Sequence, residues 1–115
     1  MAERLKYNLQ PIRVPSGWAI TINNLYEVDF IEENLAWFSS SVLIGGEHRN
    51  TGYCFDCRLE SESGLNGGFV VEFIKIKYDY QGRPIRGSDS YIGQKRTKTV
   101  QEIISVIEAY MLEIR

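Results

Sequence analysis

The chain has 115 residues, 43% hydrophobic and 24% charged, with a formal net charge of -2. That length and balance predict one globular domain over residues 1–115, with a core that needs no disulfide framework or structural metal, and exclude intrinsic disorder. No apolar stretch approaches the roughly 20 residues of a membrane-spanning helix, and no apolar segment follows the charged N-terminus as in a secretory leader. A cytoplasmic compartment is the expectation, and the low cysteine usage fits reducing surroundings.

Residues 5–14 mix apolar and polar side chains around Pro11 and end at Pro15, which allows an edge strand at most. Pro15, Ser16 and Gly17 form a turn. From Trp18 the pattern has period two, with Trp18, Ile20 and Ile22 on a buried face, and Asn23 and Asn24 break or bulge the strand. Residues 25–35 follow neither template and read as extended chain or a short turn. Strand character returns over residues 37–44, ends at Gly45 and Gly46, and gives way to a polar loop through Gly52.

Tyr53 to Glu60 alternates cleanly, placing Tyr53, Phe55, Cys57 and Leu59 on one face. A loop over residues 61–68 leads to the longest predicted strand, residues 69–80. Its apolar set moves from odd to even positions after Phe73, the mark of a bulge or of a strand covered on both faces. Residues 81–84 supply a turn, and the polar run 86–98 contains one short strand around Tyr91 and Ile92. Thr99, with Glu102 three residues on, opens a helix through a capping-box arrangement. Val100, Ile103, Ile104, Ile107, Tyr110, Met111 and Ile114 form its apolar stripe, with Leu112 off it. The predicted fold class is α+β: an antiparallel sheet of about five to six strands packed against one C-terminal amphipathic helix.

No catalytic, cofactor or metal-binding motif is present, so no cofactor or metal is expected. Cys54 and Cys57 have C-x-x-C spacing, but a strand sends them to opposite faces, so one is expected packed and one exposed or half-exposed. His48 falls in the polar loop and is expected to be solvated.

The charge is unevenly placed. Residues 75–98 carry a balance of +5, so the remainder carries -7. Two binding surfaces follow. The first is acidic and aromatic: Tyr26, Glu27, Asp29, Phe30, Glu32, Glu33 and Trp37, a pattern that suits aromatic anchors within a charged rim meeting a protein partner. The second is basic, Arg83, Arg86, Lys95, Arg96 and Lys98, with tyrosines nearby, a combination that single-stranded nucleic acid favours. Overall acidity counts against the nucleic-acid reading. An uncovered strand or helix face leaves room for a homodimer.

The turn Pro15-Ser16-Gly17-Trp18 followed by Asn23-Asn24-Leu25-Tyr26-Glu27-Val28-Asp29 resembles the N-terminal pattern of small bacterial α+β proteins. Some proteins of this build resemble immunity proteins encoded beside toxins. The resemblance implies a non-enzymatic inhibitor whose partner is a toxin, and it assigns no individual functional residue.

Overall fold

In the computed structural model, which describes residues 7–60 and 64–114, five strands form one antiparallel sheet and one α-helix covers one of its faces. The strands are β1 (Trp18–Asn23), β2 (Ile44–His48), β3 (Tyr53–Leu59), β4 (Phe69–Lys75) and β5 (Ser90–Thr97). They pair in sequence order, so every connection is local and both β1 and β5 are edges. The helix α1 (Val100–Glu113) follows β5 directly.

Cross-strand register explains the core. Trp18, His48 and Tyr53 align across β1 to β3, and Gly46, Phe55 and Phe73 align across β2 to β4. These side chains face α1, where Tyr110 packs against Trp18, Phe55 and Phe73. Ile103, Ile104, Ile107 and Met111 are buried on the same interface, as the helical spacing requires. Leu112 is exposed. The Thr99 hydroxyl accepts the Glu102 N–H at 3.1 Å, closing half of the expected capping box. In place of the reciprocal backbone bond, the Thr99 hydroxyl donates to the Glu102 carboxylate at 3.2 Å.

The first segment makes no more than the edge strand that its sequence allows: among its described residues, a single bridge joins Leu9 to Tyr26. Other expectations are corrected. In β1 the register shifts between Ile20 and Ile22, which turns Ile22 outward to 40% exposure instead of burying it. The strand expected over residues 37–44 is instead the end of a 3-10 helix, Glu32–Phe38, followed by an irregular link. Leu43 and Ile44 are both fully buried because the link turns into the core before β2 begins.

Gly45 and Gly46 lie within β2 and do not end it. A Cβ on Gly46 would stand 2.8 Å from the Phe55 ring, so the glycine is what lets that ring lie flat across the neighbouring strand. The loop expected at residues 61–68 contains a short 3-10 turn, Gly64–Asn66, and its first three residues lie outside the described ones.

The strand expected over residues 69–80 stops at Lys75, with the foreseen irregularity between Phe73 and Ile74. Beyond it the chain makes an arm held by a bridge between Tyr78 and Pro84, at whose turn Tyr80 is 95% exposed. The Asp79 carboxylate fixes that turn by accepting the N–H groups of Gln81 and Arg83 at 2.8 and 2.9 Å. β5 is eight residues long, well beyond the short strand expected around Tyr91.

Candidate functional site

The acidic segment is positioned by hydrogen bonds on both sides. The Asn23 side chain accepts the Leu25 N–H at 3.0 Å, and the Asn24 N–H donates to the Leu43 carbonyl at 2.7 Å, which drives Leu25 into the core. Next, Gln10 N–H donates to the Leu25 carbonyl and Glu27 N–H to the Asn8 carbonyl, at 2.7 and 2.8 Å. Residues 8–10 therefore run beside residues 25–27. The Asn34 side chain then donates to the Asp29 carbonyl at 3.0 Å, fastening the start of the 3-10 helix to the turn before it.

This framework holds three aromatic rings at the surface. Trp37 meets Tyr26 edge-on at 5.3 Å between centroids and Tyr7 at 4.9 Å on another side. Tyr26 and Trp37 are half-buried, while Tyr7 and its neighbour Leu9 are exposed. In the same segment Glu27, Asp29, Glu32 and Glu33 are all exposed, and among the described residues none forms an ion pair.

Of the seven residues expected here, Phe30 has a different place. Its ring lies 4.4 Å from Phe69 and 5.0 Å from Phe38, so it is half-buried against the core and reaches the surface only at the edge of a groove along α1. Tyr7, Leu9 and Ile31 join the surface unannounced. The sequence signal for Tyr7 and Leu9 was their period-two spacing beside Pro11, which takes meaning only once residues 8–10 are paired with residues 25–27.

The basic residues are dispersed. Arg83 pairs with Asp79 at 3.4 Å in the arm, and Arg96 pairs with Glu60 at 2.5 Å. Lys98 donates to the Asn66 carbonyl at 2.7 Å. Lys95 and Arg96 are consecutive in β5 and so face opposite sides of the sheet. Arg83 and Arg86 lie before the start of β5 and Lys98 beyond its end, on the order of 25 Å apart for eight extended residues.

The two cysteines are both buried, correcting the expectation of one exposed thiol. Cys57 lies on the helix-covered face, and Cys54 on the other face against the arm. Burial, with Glu47 adding to it, pushes the Cys54 thiol up to about 11. Burial, with Asp56 adding to it, pushes Cys57 up to about 12. Both stay protonated at neutral pH and are poor nucleophiles.

His48 is likewise buried, at 3% exposure, and not in a solvated loop. Its Nδ1 lies 2.8 Å from the Thr51 hydroxyl and its ring packs on Trp18. Gly17, at φ +95°, passes so close to Nε2 that a Cβ there would stand 2.7 Å away. The glycine that ends the Pro15-Ser16-Gly17 turn thus makes room for the histidine.

On the face of the sheet opposite α1, Asp56 and Glu72 are direct cross-strand neighbours. Arg58 bonds Glu72. Burial first, then the Glu72 charge, raises the Asp56 carboxyl above its ordinary value. Among the described residues, no group of three or more His, Cys, Asp or Glu side chains is arranged to hold a metal ion. No helix of the described residues is long and apolar enough to cross a membrane. Comparison with protein-family models, with curated proteins and with solved structures finds no match for this chain.

Proposed function

We propose that this chain is a non-enzymatic protein-binding domain that seats a basic partner on the acidic, aromatic surface of residues 26–37. One observation carries the reading. Four exposed carboxylates, with no cation paired to them among the described residues, lie in the same short segment as Tyr26 and Trp37, whose rings meet each other edge-on with Tyr7 against Trp37. Unpaired surface carboxylates raise the rate of encounter with a basic protein, and partly buried aromatic rings supply the contact area that holds it.

The finer reading is that the partner is a toxin and this chain its inhibitor or immunity protein. Occlusion by complementary charge and shape needs no catalytic group, and the resemblance of residues 15–29 to small bacterial proteins of this kind points the same way.

The test is recovery of the partner from native cells with the tagged chain and with a variant carrying Glu27→Lys, Asp29→Lys, Glu32→Lys and Glu33→Lys. Hydrogen exchange on the recovered complex locates its footprint. The expected result is a partner held by the native chain, protecting residues 26–37, and lost from the variant. A partner held equally by both proteins contradicts the proposal.

A further inference from the structure

The acidic surface continues into a groove. Two adjoining cavities, of about 580 Å³ and about 440 Å³, share Gln10 and Gln101 and follow α1 from its first turn to Glu108. Residues 27–31 and then 10–13 make one wall, and α1 with the two residues before it makes the other. Each volume lies within the range of ordinary ligand pockets.

The lining has two characters. Val28, Ile31, Val100 and Ile104 give it apolar surface, and Glu27, Asp29 and Glu108 give it negative charge. α1 adds Glu102 and carries no basic residue, so the field along this side is negative. Lys98 and Arg13 also line it, the Lys98 ammonium bonded to the Asn66 carbonyl, so three lining carboxylates face two cations and the balance is negative by one before Glu102 is added. At the start of α1 the Thr99 hydroxyl accepts the Glu102 N–H and the Glu102 carboxylate lies beside it, which disfavours an anion there.

A long groove between two stretches of backbone suits an extended peptide. Successive side chains of such a segment point to opposite sides, so one set falls on the apolar lining while the alternate set reaches the carboxylates. We infer that this groove receives an extended cationic segment of the partner, its arginine or lysine groups held by Glu27 and Asp29. The inference rests on the protein-binding reading and adds where the partner enters and in what conformation.

The test uses the full chain, isotope-labelled for amide NMR, and a short capped peptide alternating arginine with valine. A counterpart with glutamate in place of arginine is the control. The expected result is shifts at residues 10–13, 27–31 and 98–108 with the arginine peptide and none with the glutamate peptide. Gln101→Trp fills the groove and leaves every carboxylate in place, so it weakens binding by about tenfold or more. Gln10→Trp does the same from the opposite wall, because the bond from Gln10 to Leu25 uses only backbone atoms. The amide spectra of both variants report directly that the fold is kept.

Unchanged affinity in both tryptophan variants overturns the groove. If the fourfold lysine variant still abolishes binding in that case, the surface reading stands without it. No shift with the arginine peptide, or preference for the glutamate peptide, overturns the inference outright.

Discussion

The acidic and basic regions of this chain are equally conspicuous in the sequence and are treated in opposite ways by the fold. Arg83 and Arg96 find carboxylates within the chain, Lys98 finds a carbonyl, Arg86 and Lys95 find no carboxylate among the described residues, and the five end up on different faces and at different ends of β5. Glu27, Asp29, Glu32 and Glu33 lie within seven residues that run from extended chain into the 3-10 helix and, among the described residues, find no cation. A run of charge is therefore weak evidence of binding until the fold shows whether it is internally neutralised. An exposed pair such as Arg96 with Glu60 contributes little to stability and equally little to recognition.

Four substitutions sharpen that contrast. Phe30→Ala removes a ring from the Phe38 and Phe69 cluster and is expected to cost about 3 kcal/mol in denaturant unfolding, which separates it from the surface residues around it. Trp37→Ala loses the contacts to Tyr7 and Tyr26. It should cost about 2 kcal/mol and weaken partner binding by about tenfold or more in a calorimetric titration. Arg96→Ala should shift stability by less than about 1 kcal/mol and leave partner binding unchanged. A large loss of binding there would return the basic region to consideration.

The smallest effect is that of Asp56→Asn, which relieves the like-charge pair with Glu72. It is expected to raise stability at neutral pH by a few tenths of a kcal/mol, about the scale of a cross-strand charge pair. Because the folded carboxyl titrates above its ordinary value, the folded state takes up a proton more readily than the unfolded one. The native aspartate thus penalises folding above its raised value, and the penalty disappears as pH falls through the ordinary aspartate range. Thermal unfolding of both proteins across that range should show the gain at neutral pH and its loss in acid.

How far the fold was legible depends on how local its causes are. The helix was readable because its cap and stripe lie within one segment. β3 was readable because its apolar side chains alternate toward the helix-covered face, although burial of Cys54 on the other face was not, and the irregularity in β4 because the apolar set changes sides at Phe73 and Ile74. β2 was misread because Gly45 and Gly46 look like a chain break, whereas Gly46 is needed by the Phe55 ring on the neighbouring strand and Gly45 lies close against the Ile22 side chain. His48 went with them, since a histidine beside charged residues gives no hint that Trp18 and Gly17 will cover it.

β5 is an edge strand mostly exposed on both faces, so it carries no alternation to read. Of the candidate site, the carboxylates, Tyr26 and Trp37 were legible from composition. Tyr7, Leu9 and the groove were not, because they depend on pairing between residues 8–10 and 25–27 and on where α1 returns in space.

The most direct measurement is the affinity of the native partner for three proteins side by side. These are the native chain, the fourfold lysine variant of Glu27, Asp29, Glu32 and Glu33, and a variant with Arg86→Glu and Lys95→Glu. The account predicts at least about a hundredfold loss for the acidic reversal and a change within about threefold for the basic one. Loss of binding in the basic reversal, with affinity kept in the acidic one, would contradict it.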